Sequence, residues 1–297
     1  MNMTDLRDFI DVQLQGWPLA RANYQALGRT RRRSMVLGDL TVGIQHNPAR
    51  IVSTGAKTDA SSISSRPCFL CKDNRPAEQV GIDIVPGWEL LVNPYPIFPT
   101  HFTIASKTHQ PQAGFQLDMI TMAERLPEHT VFFNGSKSGA SCPDHLHCQA
   151  VKPHELPLMR LIAERHLPEE NGYIATAATL GLKMPFDFRS VIITPNALGM
   201  ELLKNIEVIL GREEISSGLI NIYVWTDECR RLRIVGVPRR AHRPSCYGDG
   251  AEEHLVSPGC IDMAGVIITP LEKDYTGLTA ENIEKIYSEC GKNPDMR

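Results

Sequence analysis

The chain has 297 residues, with 31 Lys and Arg, 34 Asp and Glu, a formal net charge of -3 and 42% hydrophobic residues. That balance excludes a disordered chain and a globally basic nucleic-acid binder, and no apolar run reaches the ~18 residues a bilayer span requires. The first residues hold neither a basic segment nor a continuous apolar stretch, so eight cysteines imply a reducing, cytoplasmic compartment where thiols serve as metal ligands, buried apolar groups or catalysts.

In chain order, residues 4–27 place apolar side chains at helical spacing. Residues 35–45 read as two strands joined at Gly38-Asp39, a turn signal. Residues 52–67 are polar and small and read as a loop. Strands follow at 89–92 and 102–105, separated by Asn93-Pro94-Tyr95-Pro96, whose prolines force an extended turn. A helix at 115–127 and a strand at 131–133 lead into the Gly/Ser-rich segment 134–141, then a strand at 145–151. The theme recurs further on. Residues 190–194 read as a strand and 197–210 as a helix. Strands at 220–226 and 232–237 form a hairpin, and 267–269 and 280–289 read as strand and helix. The order strand, helix, strand, strand in both halves predicts an α+β fold of two related antiparallel-sheet-plus-helix units, residues 1–160 and 161–297.

Chemistry concentrates in NGSKSGASCPDHLHCQ, residues 134–149. His145, His147 and Gln149 lie two apart, and alternate side chains of a strand share a face. The preceding glycine- and serine-rich turn offers backbone N–H groups and hydroxyls, the usual cradle for phosphate oxygens. Two histidines on one strand face also suit a core or a metal, and the loop tips the reading toward catalysis. A second motif is Cys68-Phe69-Leu70-Cys71. A C-x-x-C pair fits two corners of a tetrahedral zinc site, a redox dithiol or two buried thiols. It follows a polar loop rather than opening a helix, which disfavours the redox reading. Zinc needs two further ligands, for which His109 and His145 are candidates.

Taken together, the CFLC pair, the strand that runs out to His109 and the His145-Leu146-His147-Cys148-Gln149 run resemble the histidine-triad superfamily. The resemblance is closest to its transferase branch, which includes galactose-1-phosphate uridylyltransferase, diadenosine tetraphosphate phosphorylase and the GDP-hexose phosphorylases. It covers residues 40–155 clearly and 257–290 more weakly. It implies a HIT-like fold with a catalytic first half and a degenerate second half that helps bind substrate. It makes His147 the nucleophile and Gln149 the group that binds the transferred phosphoryl. His145, Cys68, Cys71 and His109 would hold a structural zinc, while Asn134, Gly139 and Ser141 would line the phosphate side. His145 follows Ser141 by four positions, one more than in the uridylyltransferases, so Ser138 is an alternative to Ser141. Asn93 follows a strand where the related families place a nucleotide contact. Gln45, Asn47 and Arg50 follow another strand, and their polar groups would read a base or ribose edge.

The implied activity is nucleotidyl transfer or phosphorolysis of a nucleoside diphosphate sugar. It would run through a nucleoside-monophosphate–histidine intermediate, with phosphate or a sugar phosphate as acceptor. Gln149 donates hydrogen bonds but cannot titrate, which favours an acceptor that is already nucleophilic over water. A dinucleoside polyphosphate phosphorylase is the alternative enzyme. A zinc-stabilised nucleotide-binding regulatory protein without turnover is the alternative of another class. The expected partners are therefore small molecules, with no nucleic acid or membrane, and the resemblance makes a homodimer the expected assembly. Six arginines between Arg230 and Arg243 would form either a clamp for the anionic acceptor or the solvated face of a hairpin. Arg29 and Arg31 to Arg33 read as a basic surface loop, and Asp262 and Lys273 as further substrate candidates. His101 reads as structural.

Overall fold

The computed structural model describes residues 3–165, 174–193 and 200–293. The N-terminal helical segment is two helices, Met3–Gly16 and Pro18–Leu27. Pro18 lacks the N–H that would continue the first helix but suits the first turn of the second, and Trp17 before it is extended. Strands β1 (Arg31–Leu37) and β2 (Leu40–His46) form a hairpin across Gly38-Asp39. Gly38 sits at φ 61°, and a Cβ there would lie 2.1 Å from the Lys183 carbonyl oxygen, so the turn requires glycine. Strand β12 (Val266–Thr269) adds to β2 in parallel and completes a three-stranded sheet.

The main sheet has nine antiparallel strands. These are β3 (Ile82–Val85), β4 (Trp88–Val92), β5 (His101–Ser106), β6 (Thr130–Asn134), β7 (His147–Val151), β8 (Ile174–Thr176), β9 (Arg189–Ile193), β10 (Ile220–Thr226) and β11 (Leu232–Pro238). Their spatial order is β3-β4-β5-β7-β6-β10-β11-β9-β8. Read outward from the β6–β10 junction, β6-β7-β5-β4 and β10-β11-β9-β8 have the same connectivity. Each has helix between its second and third strands in the chain, Asp118–Arg125 in one and Met200–Leu210 with Arg212–Ser217 in the other. Phe132 pairs with Tyr223 at the junction, so Gln149, opposite Phe132, corresponds to Val235, opposite Tyr223. By the same register His147 corresponds to Arg233.

Strand alternation divides the core between the two faces. Val131, Phe133, Cys148 and Ala150 pack with the helix Asp118–Arg125 on one face. Phe132, Val151, Tyr223 and Val235 pack on the other, against the three-stranded sheet and the C-terminal helix Ala280–Cys290. The fold is thus α+β, as the sequence predicts, and its elements lie in three layers. Among the described residues no helix is long and apolar enough to cross a membrane.

Three local features depart from the sequence reading. Residues 52–67 are not a plain loop, because helices Ile51–Thr54 and Ala60–Ser64 interrupt them. The second is capped by Asp59, which accepts the Ser62 N–H at 2.9 Å. Strand β3 carries no alternation strong enough to be foreseen, and β7 begins at His147 rather than His145. Thr194 and residues 197–199, read as strand and helix, lie outside the described residues.

His129, just before β6, is 2% exposed, and neither ring nitrogen has a partner among the described residues. Its ring packs edge-on against Phe102. Burial, helped by the charge of Lys152, pushes its pKa down from 6.5 to about 4. The fold therefore favours the neutral ring. That contribution is complete above pH 6.5 and is lost as pH falls toward about 4. His129→Leu should match or exceed the wild-type Tm at pH 7 and lose Tm less steeply between pH 6.5 and pH 4.5. Equal slopes in a thermal-melt series would refute this account.

Candidate active site and metal cluster

Strands β6 and β7 pair only as far as Phe132 opposite Gln149. Beyond that point the side chain of Gln112 stands between them. Its amide nitrogen donates to the carbonyl oxygens of Asn134 (2.8 Å) and His147 (2.9 Å), and its oxygen accepts the His147 N–H at 2.8 Å. The amide replaces the missing ladder bonds, so the strands splay without leaving buried backbone groups unpaired. Next to the splay lies a cavity of about 580 Å³, bordered by His147, Gln149, Asn134, Gly139 and Ser141, with Trp17 between the two N-terminal helices and Leu19 on the second.

His147 is 4% exposed, and its Nδ1 lies 2.8 Å from the carbonyl oxygen of His145. A carbonyl oxygen can only accept, so Nδ1 carries the proton and Nε2 keeps its lone pair. Burial pushes the His147 pKa down to about 4, so the ring is neutral near pH 7. Gln149 receives a hydrogen bond on Oε1 from His101 Nε2 at 2.8 Å. His101, fully buried, accepts the Ile97 N–H on its Nδ1 at 3.1 Å.

The loop between β6 and β7 passes over the same cavity. Gly139 has φ 96°, and a Cβ there would lie 2.4 Å from Gly259 Cα. Glycine is thus required both for the left-handed backbone and for the close approach of the two loops. The N–H groups of Gly139, Ala140 and Ser141, which border the cavity with His147, find no acceptor among the described residues. Asn134 borders the cavity, and its Oδ1 accepts from the Cys260 N–H (2.7 Å) and from Asn221 (3.1 Å). Ser141 borders the cavity, whereas the Ser138 hydroxyl is turned away and donates to the Gly218 carbonyl oxygen at 2.9 Å.

Four cationic side chains, Arg50, Lys57, Arg66 and Arg243, border the cavity against one acid, Asp262. Both Asp262 oxygens accept backbone N–H groups, from Gly259 and Ile268, and burial pushes its pKa up to about 6. Arg50 Nη1 donates to the Tyr95 carbonyl oxygen, while its enclosed Nε has no partner among the described residues. The arginines between 230 and 243 do not act as one clamp. Arg231 and Arg233 pair with Asp227, just outside the segment, and Arg239 is a buried brace to the Asn221 oxygen and nearby carbonyls. Only Arg243 of the six borders the cavity, with its guanidinium 4.0 Å from the Tyr247 ring.

The other nucleotide-contact candidates separate. Asn93 borders the cavity, but its side chain serves the local turn: it donates to the Thr103 hydroxyl and accepts the Tyr95 N–H. Gln45 and Asn47 do not border the cavity. Their amides donate to the carbonyl oxygens of Ile97 and Pro96, both at 3.1 Å. Lys273 caps carbonyl oxygens of Gly250 and Glu253, also away from the cavity. Sequence reasoning had no signal for Gln112, which sits in an irregular polar segment, and read His101 only as structural.

His145 does not project with His147. It lies in the turn before β7, its N–H bonded to the Cys142 carbonyl oxygen, and its ring leaves the sheet face. Its Nε2 lies 2.8 Å from the Ser106 carbonyl oxygen, so Nε2 carries the proton and Nδ1 is free to ligate. Nδ1 lies 3.2 Å from Cys68 Sγ and 3.5 Å from Cys71 Sγ, and Cys71 Sγ lies 3.2 Å from His109 Nδ1. All four donor atoms fall within 4.8 Å of one another. Tetrahedral zinc with ordinary bond lengths puts sulfur–nitrogen edges at about 3.6 Å, so the donor set and spacing fit a metal ion. Four protein donors leave no open position, and such an ion would be structural.

A family model described as a domain of unknown function (DUF4922) matches residues 9–152. No curated protein matches the chain. Among solved structures the fold is similar to that of yeast Ap4A phosphorylase in complex with AMP. The TM-score is 0.61 at 15% identity, over 93% of this chain and 97% of that chain. The same yeast enzyme in complex with Ap4A gives a TM-score of 0.60 at 14% identity, over 92% of this chain and 96% of that chain. The likeness is one of fold along nearly the whole length of both chains.

Protein purified without chelator should contain about one zinc per chain. Cys68→Ser and His109→Ala should each lower the metal content and the Tm, because loss of one ligand opens the centre. Elemental analysis showing no metal in the wild-type protein would reject the cluster as a metal site.

Proposed function

We propose that the protein is a nucleotide phosphorylase or nucleotidyltransferase that works through His147. The observation that carries this reading is the His147 tautomer: the proton is held on Nδ1 and a neutral Nε2 stands at a cavity lined by cations and unpaired N–H groups. The similarity of fold to Ap4A phosphorylase supports it.

The substrate is a nucleoside monophosphate joined through a phosphoanhydride to a second phosphate-bearing group. In the first step Nε2 attacks the α-phosphorus, the bond to the bridging oxygen breaks, and the far phosphate leaves. The nucleotide is then bonded to His147, and the Nδ1–H bond to the His145 carbonyl offsets the charge on the ring. In the second step an oxygen of phosphate or of a sugar phosphate attacks the same phosphorus and Nε2 departs. The Gln149 amide and the N–H groups from Gly139 to Ser141 stabilise charge on the non-bridging oxygens. At the transferred phosphoryl group Gln149 cannot titrate and so cannot activate water, and Asp262 is engaged by two backbone N–H groups. Phosphorolysis or transfer is therefore favoured over hydrolysis. Zinc on Cys68, Cys71, His109 and His145 would anchor the turn that presents His147.

Residues 1–160 form the catalytic half on this reading, and 161–297 a degenerate half that completes the cavity. Val235 and Arg233 stand at the positions of Gln149 and His147, while Arg243, Gly259 and Asp262 border the cavity. A nucleoside diphosphate sugar is the first substrate class. A dinucleoside polyphosphate is the second, supported by Arg50, Lys57 and Arg243, which suit a longer phosphate chain, whereas Arg66 is paired with Asp144.

Incubation with a panel of both classes should give phosphate-dependent release of a nucleoside diphosphate or sugar phosphate. The class with the higher kcat/KM identifies the substrate. His147→Ala should lower turnover by at least about 1000-fold and abolish acid-labile labelling by an α-32P nucleotide. A binding protein without turnover would retain nucleotide and show neither labelling nor phosphate dependence.

A further inference from the structure

The amide of Gln149 has an oxygen end and a nitrogen end, and only one of them suits an anion. Its neighbour decides which one faces the cavity. The Ile97 N–H can only donate, so His101 Nδ1 must accept, and the proton must sit on His101 Nε2. That proton goes to Gln149 Oε1 at 2.8 Å. The Gln149 oxygen is thereby consumed and its NH2 group is left for the cavity. The reverse orientation would set two N–H groups against each other and present a carbonyl oxygen to a phosphoryl oxygen.

The ring of His101 is held by an irregular segment. Residues 94–97 alternate two prolines with Tyr95 and Ile97, so no ladder can fix them. Instead four consecutive carbonyl oxygens are each bound by a different side chain. Asn23 takes Pro94, Arg50 takes Tyr95, Asn47 takes Pro96 and Gln45 takes Ile97. These contacts position the Ile97 N–H that sets the His101 tautomer. Burial, with the nearby charge of Arg50, keeps the ring neutral by pushing its pKa down to about 3.

We propose that His101 is a positioning residue that acts through Gln149, and that the grip of Asn23, Arg50, Asn47 and Gln45 on residues 94–97 serves to hold it. The consequence is a donor-only amide at the transferred phosphoryl group. This rests on the function proposed above, so its test must also be readable without turnover.

Two substitutions separate the two ring nitrogens. In His101→Asn the amide oxygen takes the place of Nδ1 and still accepts from Ile97, but the donor to Gln149 is lost. In His101→Gln the amide nitrogen takes the place of Nε2 and keeps that donor. His101→Asn should lower kcat by on the order of 10-fold to 100-fold, and His101→Gln should recover most of the loss. In a Gln149→Ala background, His101→Asn should cost nothing further, because the two residues act as one unit. In 15N-glutamine-labelled protein the side-chain amide pair of Gln149, identified by its absence in Gln149→Ala, should shift in His101→Asn. The pair should stay near its wild-type position in His101→Gln. Losses that multiply in the double variant, or an unmoved Gln149 amide in His101→Asn, would overturn the proposal. A wild-type protein that neither binds AMP nor turns over would instead sink the proposed function, and the amide spectrum would still decide the role of His101.

Discussion

The chemistry of the cavity depends on one hydrogen bond, from His147 Nδ1 to the carbonyl oxygen of His145. That oxygen cannot donate, so it leaves the imidazole a single neutral tautomer, with its lone pair on the nitrogen that faces the cavity. The bond forms only because the chain leaves the sheet between the two histidines. His145 is held outside the ladder by the turn from Cys142 and by its own ring, pinned between Ser106 and the cysteine pair. The cluster of Cys68, Cys71, His109 and His145 and the proposed nucleophile, His147, are thus two ends of one short arm.

Gln112 provides the room for this arrangement. Antiparallel strands that separate must leave N–H and C=O groups unpaired, and burial makes that costly. One side-chain amide, placed between Asn134 and His147, satisfies both strands while they diverge. The cavity occupies the space gained, and the loop from β6 to β7 crosses it where Gly139 and Gly259 pass close together. The site is therefore not a groove cut into a finished sheet but a controlled failure of pairing between its two most central strands of the first half.

The second half borders the cavity through loops, the helix Cys260–Met263 and Ile268 of β12, not through its strands of the nine-stranded sheet. At the position of His147 it carries Arg233, which is neutralised by Asp227 together with Arg231. Its contribution includes Arg243 and the start of the helix Cys260–Met263, delivered to the cavity by a network in which Asn134, Asn221 and the buried Arg239 join the halves. The basic segment between Arg230 and Arg243 thus does three separate jobs, of which only one faces the cavity.

Much of this was legible in the residues. The strands β5, β6 and β7, the turn at Gly38 and the hairpin of β10 and β11 follow from local patterns, because periodicity and turn chemistry are local properties, whereas the set Cys68, Cys71, His109 and His145, spread over 77 positions, came from the family resemblance. The sequence by itself determined which residue types stand beside one another: His147 and Gln149 on one strand face, and a glycine-bearing loop before them. It did not determine what Gln45, Asn47, His101, Gln112 and Ser138 would do, because each bonds a partner four to 80 residues away, on another segment. Gln45 and Asn47 read as ligand contacts and instead grip a proline-rich turn, and His101 orients an amide 48 positions further on. An amide or an imidazole can donate or accept depending on what it meets. The tertiary structure supplies the partner, and the partner decides which atom carries the proton and which end faces the cavity.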